Sequence, residues 1–475
     1  MKAIKYLLAA VLMIGFSATT MAQDVKSQVD AISKTIAANK NNPDAIKDQV
    51  KDFVKANKKN AEALVGLGRA YLDVKDTVNA KKYADMAIKV DKKNGAGYIL
   101  QGDIEVIKDN GGAASSWYEN ATYFDPKNPE GYRKYATINS KTSPSASVAK
   151  LEELRKQRPD YPVDIISAQI YDKAGNINKA LEYYNKVDKA KMEDNDLVSY
   201  ALDYFLKGDF DKSLEISQYG NQKFPRNPAL NRISFFDLTN LKKYPEALNY
   251  ADRLFNQSDS TKITESDYLY YGYAYQGNKN FDKAIEMFNK SLAENKDNAA
   301  DKNDALKNIA SAYQEKGDFA NAIPTYKKYL DGLEKVTAYD MGNLASMYMT
   351  IADKSTGAEK TAAQKNADDV YANMAEKFPS VADFATFQRA SIGFTQDPDV
   401  KNGAAVPYCE KLADIINAKP TKDERDNSRL VTAYSYLGFY YFHTNNNAKA
   451  KEYFNKVLSV DPTNEQAKEV VKALK

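Results

Sequence analysis

The sequence predicts an all-α solenoid of about eleven helix–turn–helix repeats with capping helices at its ends. Two observations lead to this prediction. Residues 61–94 and 95–128 form consecutive blocks of 34 residues that align without a gap, and both end in an Asp-x-Lys-Asn segment. The same spacing of small and large residues then returns along the chain, which is typical of stacked repeats. A chain of 475 residues is also too long for one compact core but suits an extended array.

The chain begins with a stretch that has the features of a secretory signal peptide. Lys2 and Lys5 supply positive charge, an apolar stretch follows, and a small-x-small triplet ends at Ala22 before Gln23. We therefore predict a signal peptide over residues 1–22, with cleavage between Ala22 and Gln23. The apolar stretch is short for a membrane span, so an uncleaved anchor is the less favoured alternative. We expect the mature chain to be exported and soluble in a bacterial periplasm, with no integral membrane segment.

After the leader, the chain divides into segments that follow the repeat spacing. A helix pair at residues 23–60 precedes the first repeat, and a Lys- and Glu-rich helix at residues 465–475 follows the last. The second is expected to act as a cap, because the end of a solenoid needs a polar outer face, and the first is expected to be either a cap or a degenerate repeat. Two insertions break the period, near residues 354–363 and 393–406. The repeats are assigned as 1 and 2 at 61–128, 3 to 6 at 129–260, 7 and 8 at 261–336, 9 and 10 at 337–424, and 11 at 425–464.

Small and polar residues are placed where two helices of one repeat must meet and turn. Residues such as Gly68 and Gly438 let the two helices approach closely, and aromatic side chains fill the space beside them. The glycines expected to end the first helix in a left-handed conformation are Gly175, Gly208, Gly277 and Gly317. The residues expected to cap the start of the second helix are Asn178, Asp211 and Asp282.

The residues at these helix contacts resemble the pattern of the tetratricopeptide repeat (TPR). In that pattern, a large, a small and an aromatic residue on the first helix face two small residues and an aromatic residue on the second. Residues that carry the resemblance are Leu67, Gly68, Tyr71, Ala80, Ala84 and Ala87 in repeat 1, and Leu437, Gly438, Tyr441, Ala450, Phe454 and Val457 in repeat 11. The resemblance implies a TPR protein of the exported bacterial type, coiled into a superhelix with a concave groove.

The TPR resemblance also implies which residues line the groove, since these come from fixed positions on the first helix of each repeat. In this chain, those positions carry apolar and aromatic residues that the packing of the repeat does not require. Such a stripe on a solvated surface is typical of a binding surface. The alternative is that a tight superhelix or the insertions bury some of these residues. The predicted partner-binding groove comprises Leu202, Phe205, Ile233, Phe236, Leu269, Tyr270, Tyr273, Lys307, Asn308, Tyr436, Phe439 and Phe442.

One polar stretch of the groove invites comparison with TPR proteins that clamp the carboxylate end of a peptide. Lys307 and Asn343 match two positions of that clamp, whereas Ser311, Ala382 and Thr386 do not match the others. We therefore do not expect a chaperone-tail ligand.

Residues that catalysis needs are scarce. His443 is the only histidine, which excludes multi-histidine zinc sites within the chain, and it lies at the end of the first helix of the last repeat, where a surface or packing role is expected. Cys409 aligns with a core position, so a buried, inert thiol is expected rather than a nucleophile. The net charge of +3 gives no electrostatic reason to expect nucleic acid as a partner. We predict that the chain is not an enzyme, uses no cofactor or metal, and has protein partners.

The leading functional hypothesis is a scaffold of the cell envelope that binds a partner segment in the groove. A second hypothesis is glycan capture, because SusD-like outer-membrane proteins embed TPR units and stack sugars on aromatic residues. Against it stand the absence of a lipoprotein cysteine after the leader and repeats that leave no space for the added irregular region of that family. The third hypothesis is architectural self-assembly through the ends of the solenoid.

Overall fold

A computed structural model describes residues 18–294 and 299–474. Within these ranges the chain forms 25 α-helices and no β-strand, which confirms the predicted all-α fold. The predicted leader, residues 1–22, lies almost wholly outside the described residues. The chain divides into two compact units: the first runs to Asp237 and includes Gln257–Asp259, and the second contains the rest.

The first unit is built from helices that pair into antiparallel hairpins joined by short turns. From α3 onward, odd-numbered helices come first in each hairpin and even-numbered helices follow, and α1 packs beside α3. The helices are α1 Ala18–Ala38, α2 Lys47–Asn57, α3 Ala61–Asp73, α4 Thr77–Val90, α5 Gly95–Ile107, α6 Gly111–Phe124, α7 Pro129–Asn139, α8 Pro144–Gln157, α9 Val163–Lys173, α10 Ile177–Tyr184, α11 Asp194–Leu206, α12 Phe210–Lys223 and α13 Pro228–Asn240. The last residues of α13, from Leu238, belong to the second unit.

The second unit continues the same alternation of first and second helices. Its helices are α14 Tyr244–Asp252, α15 Glu265–Gly277, α16 Phe281–Glu294, α17 Ala299–Lys316, α18 Phe319–Asp331, α19 Ala338–Lys354, α20 Gly357–Lys377, α21 Ala382–Gln396, α22 Val406–Asn417, α23 Glu424–His443, α24 Asn447–Val460 and α25 Glu465–Ala473. The insertion near 354–363 lengthens α19 and α20 to 17 and 21 residues. The insertion near 393–406 instead gives the segment between α21 and α22.

Glycines end three of the first helices as predicted, and a fourth behaves differently. The predicted left-handed conformation is confirmed by φ values of 71°, 76° and 85° at Gly175, Gly208 and Gly317. The prediction for Gly277 is wrong. Gly277 is the last residue of α15, and the left-handed residue is Lys279, with φ of 59°. Gly277 is needed for a different reason, because a Cβ atom there would overlap the ring of Tyr244.

The residues that cap the second helices lie two positions before those predicted. Asn178, Asp211 and Asp282 fall inside the first turn of α10, α12 and α16, so that prediction is wrong. The caps are Asn176, Asp209 and Asn280, whose side chains accept the backbone N–H of Lys179, Lys212 and Lys283, each at 3.3 Å. Each cap follows directly after a left-handed residue, because that residue reverses the chain at once and leaves no further loop.

One contact within the repeats was not predicted from the sequence. In four repeats, a lysine on the second helix places its ammonium group over the ring of a tyrosine on the first helix, at 4.6 to 5.3 Å from the ring centroid. The tyrosine is third from the end of its helix and the lysine is third in the next, so the two are always eight residues apart. The pairs are Tyr171–Lys179, Tyr204–Lys212, Tyr275–Lys283 and Tyr441–Lys449.

Candidate functional site

Apolar side chains lie open to solvent on helix α11 of the first unit. Leu202 and Leu206 have exposed fractions of 41% and 60%. Phe205, between them in the sequence, is half-buried, with its ring centroid 5.5 Å from that of Phe210 and 6.3 Å from that of Phe236. We call these five residues the α11 surface. It contains three predicted groove residues, Leu202, Phe205 and Phe236.

Sequence reasoning missed Leu206, although the signal was present. Leu206 follows Phe205 directly, and both occupy positions of the first helix that line the groove in TPR proteins. It is the more exposed of the two leucines of the α11 surface. The omission therefore left out the side chain most accessible to a partner.

Two residues predicted to line the groove belong to the core instead. Ile233 is 7% exposed and packs within the main apolar cluster of the first unit. Tyr436 is 6% exposed, and its hydroxyl donates to Asp397 and accepts from the backbone N–H of Ala405. Because neither side chain can reach a partner while the repeats stay packed, we exclude both from the candidate surfaces.

A second candidate surface, more polar, lies on α15 and α17 of the second unit. The rings of Tyr270 and Tyr273 meet edge to face at 6.0 Å, and Asn308 donates from Nδ2 to the Tyr273 hydroxyl at 2.9 Å. Burial raises the pKa of Tyr273, and the hydrogen bond from Asn308 opposes that shift. Gln276 and Ser311 both donate to Glu315 beside these rings. Together with Lys307, these residues form what we call the α15 surface.

Three residues of this surface border a cavity of about 380 Å³. Tyr244, Tyr273, Gln276 and Glu315 line it, so aromatic and hydrogen-bonding groups are presented together. Lys307 is exposed and has its Nζ 5.8 Å from the centroid of the Tyr329 ring. Predicted groove residue Leu269 is half-buried in the apolar cluster that also contains Tyr273, and it supports the surface from beneath.

The remaining predicted groove residues lie on α23 near the end of the second unit. Phe439 packs edge to face against Phe454, with centroids 5.0 Å apart, and so belongs mainly to the repeat core. Phe442 is 44% exposed and lies next to His443. One accessible aromatic side chain remains at this site, fewer than predicted.

Cys409 is buried and His443 lies at the surface, as the sequence predicted. Cys409 is fully buried, and burial, with a smaller contribution from the charge of Glu410, raises the pKa of its thiol to about 12. His443 is exposed, with Nδ1 3.2 Å from the carbonyl oxygen of Val400.

In the described residues no group of three or more His, Cys, Asp or Glu side chains is arranged to hold a metal ion. None of the helices described has the length and apolar character that crossing a membrane requires.

Comparison with known protein families matches three parts of the chain. Family models described as tetratricopeptide repeat match residues 166–191, 272–335 and 431–464. The matched ranges contain the hairpins α9–α10, α15–α18 and α23–α24 in whole or in part. TPR repeats are generally non-catalytic scaffolds for protein–protein interaction.

Two curated proteins match parts of the chain. The chain is 24% identical over 323 residues to the TPR repeat-containing protein MJ1428 of Methanocaldococcus jannaschii, a match that covers 60% of this chain and 54% of that protein. It is 39% identical over 66 residues to the photosystem I assembly protein Ycf3 of Prochlorococcus marinus, a match that covers 14% of this chain and 38% of Ycf3. The chain therefore spans about half or less of the length of these relatives.

Two of the solved structures that match the chain are described as tetratricopeptide-repeat proteins. One is the C-terminal part of a TPR repeat-containing protein from Cytophaga hutchinsonii, with 22% identity, a TM-score of 0.43 and coverage of 58% of this chain and 99% of that one. Another is a tetratricopeptide repeat protein from Parabacteroides merdae, with 18% identity, a TM-score of 0.33 and coverage of 52% and 98%. From the family matches and the repeated hairpins, we conclude that this chain is a tetratricopeptide-repeat protein.

Proposed function

We propose that this chain is a non-catalytic scaffold of the cell envelope, and that it binds a segment of a partner protein through the α11 surface. The observation that supports this is the exposure of Leu202 and Leu206 beside the half-buried ring of Phe205. Apolar side chains that stay open to solvent as a group are typical of protein interaction sites. A role in assembling other proteins also accords with the name of Ycf3, an assembly protein.

The aromatic rings of the α11 surface support the proposal because they are fixed before a partner arrives. Phe205 contacts Phe210 on α12 and Phe236 on α13, so its ring has little freedom left to lose. A pre-organised surface of this kind binds with a smaller loss of conformational entropy. Truncating a central residue of such a surface typically weakens binding by about 2 kcal/mol or more. We expect Phe205 to be that residue.

We propose the α15 surface as a second contact for partner proteins, one that orients rather than anchors them. Its tyrosines and amides can exchange hydrogen bonds with the backbone of an extended segment, and Lys307 adds a positive charge. Buried hydrogen bonds at an interface contribute to specificity because an unmatched partner leaves polar groups unpaired.

We further propose that residues 23–60 and 465–475 cap the repeat array, and we retain the predicted division of the intervening chain into repeats. In α1, Ile32 and Ile36 are buried in the cluster that includes the first repeat. In α25, Ala467 is 1% exposed, whereas Lys468 and Glu465 pair on the outer face. One apolar face and one charged face are what an end cap requires.

The binding proposal can be tested by photocrosslinking in cells. A photoreactive amino acid replaces Leu206 in one variant and Val78 in a matched control, since Val78 is 78% exposed on a different helix, α4. We expect a discrete adduct from position 206 that position 78 does not give. A Phe205→Ala substitution in the variant that carries the photoreactive amino acid at position 206 should reduce the yield of that adduct at least tenfold. The circular dichroism spectrum of this variant should stay helical.

An adduct of equal yield from both positions, or one unaffected by Phe205→Ala, would reject the α11 surface as the binding site.

Titration of the purified chain with oligosaccharides, read by calorimetry, distinguishes protein binding from glycan capture. Saturable binding of an oligosaccharide would favour glycan capture. For the proposed location, N-terminal sequencing of the protein from an osmotic-shock fraction should give Gln23 as the first residue. A chain that stays in the cytoplasm with Met1 would contradict export.

A further inference from the structure

Helices α12 and α13 of the first unit bring several buried polar side chains together, beside an apolar contact between Gly220 and Leu230. At the corresponding contact in repeat 1, α4 offers the alanines Ala80, Ala84 and Ala87. Here the contact includes buried polar residues, all of them at most 4% exposed: Ser213, Ser217, Asn221, Asn231, Ser234 and Asp237. We call these six residues the α12–α13 seam. A buried polar contact is stable only when its groups find partners.

Part of the seam is satisfied by its own hydrogen bonds. Asn221 donates from Nδ2 to Ser234 Oγ at 2.9 Å, and Ser234 Oγ donates to Ser217 Oγ at 2.8 Å. Asn231 donates to the carbonyl oxygen of Pro225 and to Ser258, each at 3.0 Å. These bonds hold the half of the seam that lies away from Asp237.

Asp237 is the residue of the seam that carries an ionisable group without such bonds; Oδ1 of Asn221 and Oδ1 of Asn231 also have no partner. The Asp237 side chain is fully buried, and neither carboxylate oxygen has a hydrogen-bond partner within 3.5 Å; the Ser213 hydroxyl lies close enough to lower the pKa of Asp237 but has no partner within that distance either. The charge that acts on Asp237 from α12 is that of Asp211, which is also negative. On α13 itself the basic residue is Arg232. An ionised carboxylate that is buried without a paired donor is strongly unfavourable.

The same arrangement occurs one repeat earlier. Asp203 lies 34 residues before Asp237, which is one full repeat, so the two occupy equivalent positions on α11 and α13. Asp203 is 2% exposed, and its Oδ2 has no hydrogen-bond partner. The charge that acts on it is the negative charge of Asp172 on α9. Tyr184 on α10 lies near it as well: burial chiefly raises the pKa of that hydroxyl, and the charge of Asp203 adds a smaller contribution.

We propose that Asp237 makes the α12–α13 seam a proton-controlled joint, with Asp203 serving the same purpose at its own helix contact. With the carboxyl group protonated, the helices pack closely, because a neutral acid tolerates the dry seam. When the carboxyl group ionises, the seam must admit water or separate. The repeat array then loosens at two successive repeats, one of which carries Leu202, Phe205 and Leu206.

The direction of the pH effect follows from the two acids. Burial raises the pKa of both Asp203 and Asp237 to about 7; the Ser213 hydroxyl opposes the rise at Asp237, and the charges of Asp172 and Asp211 add to the rise at their respective neighbours. An aspartate in an unfolded or opened segment titrates near 4. A raised pKa means that the closed state binds the proton more tightly than the open state. Closure is therefore favoured most at low pH, loses stability as the pH rises from about 4, and has lost the whole contribution above about 7.

Hydrogen exchange with mass spectrometry on the full chain tests the proposal. Rates are corrected for the intrinsic effect of pH and compared between pH 6 and pH 8. With a closed-state pKa of about 7, linkage predicts that protection of α12 and α13 peptides falls about tenfold over this range. Asp237→Asn should remove that fall while leaving the side-chain volume unchanged. Asp203→Asn should do the same for α10 and α11 peptides.

The α3–α4 hairpin of the same molecules is an internal control, because the buried residues of its helices are apolar or glycine. Its corrected protection should not change between pH 6 and pH 8. Constant protection of the α12 and α13 peptides in the wild-type chain would overturn the proposal without relying on any variant. A tenfold fall that persists in Asp237→Asn would overturn it as well, since another group would then be titrating.

Discussion

The hydroxyl of Tyr436 donates a hydrogen bond to Oδ2 of Asp397 at 3.2 Å, and so joins two residues that lie 39 positions apart. The same carboxylate accepts the backbone N–H groups of Lys401, Asn402 and Gly403 at 2.8 to 3.0 Å. Asp397 thus holds the inserted segment of repeat 10 in a closed loop, and its hydrogen bond with Tyr436 attaches that segment to α23. Burial tends to raise the pKa of Asp397, but these hydrogen bonds outweigh it and leave the pKa below its usual range.

Removing the Tyr436 hydroxyl should therefore destabilise the second unit. In Tyr436→Phe, the Asp397 carboxylate loses one donor while it stays 3% exposed, and the N–H of Ala405 loses its acceptor. Leaving buried polar groups unpaired costs about 1–3 kcal/mol. Urea denaturation followed by circular dichroism should show the loss. Tyr123→Phe is the control, since Tyr123 is 78% exposed, and its midpoint should match the wild type.

The reactivity of Cys409 should report directly on opening of repeat 10. Its thiol is fully buried and has a pKa of about 12, so almost no thiolate exists at pH 8 in the closed state. We expect a disulfide reagent to label native protein at least a hundredfold more slowly than protein in 6 M guanidinium, a ratio that reflects both burial and the raised pKa. Because Cys409 is the single cysteine, all labelling by the reagent can be attributed to it. Labelling at comparable rates in both states would contradict the buried position.

The recurring lysine–tyrosine contact should contribute a small, measurable stabilisation. In repeat 11 the Nζ of Lys449 lies 4.6 Å from the centroid of the Tyr441 ring. A cation over an aromatic face at an exposed site contributes about 0.5–1 kcal/mol. Lys449→Met should lower the free energy of unfolding by that amount and keep most of the apolar stem. Tyr441→Phe retains the ring and removes only the hydroxyl, which accepts a long hydrogen bond from Lys449 Nζ at 3.5 Å, so most of the effect of Lys449→Met should persist in that background; Tyr441→Leu should abolish it. Equal effects of Lys449→Met in both backgrounds would show that the ring is not involved.

Within one repeat, the left-handed turns could largely be predicted from the sequence, although the caps that follow them were placed two residues too late; features that depend on neighbouring repeats could not be predicted. Gly175 and Gly208 sit at turns whose length the repeat sets, so the left-handed conformation followed from position alone. Ile233 and Tyr436 lie at positions that line a groove in the family but are covered in this chain, Tyr436 by an inserted segment. The polar seam at Asp237 escaped prediction for a related reason. Serines at alanine positions of α12 matter only because α13 brings further polar residues against them.

Gly277 provides a prediction in which the sign of the effect decides between two physical accounts. Replacing a helical glycine by alanine ordinarily stabilises a helix by up to about 1 kcal/mol, because alanine loses less backbone entropy. Gly342 on α19 should follow that rule, since nothing lies within 4 Å of a Cβ atom placed there. At Gly277 the added methyl group would overlap the Tyr244 ring, so we expect Gly277→Ala to destabilise the second unit by about 1–3 kcal/mol. Adding Tyr244→Ala should recover part of the stability lost in Gly277→Ala, because the overlap disappears. The comparison is made by urea denaturation, with hydrogen exchange of α15 to locate the change. If Gly277→Ala stabilised the protein as Gly342→Ala does, Tyr244 could not be packed against this backbone.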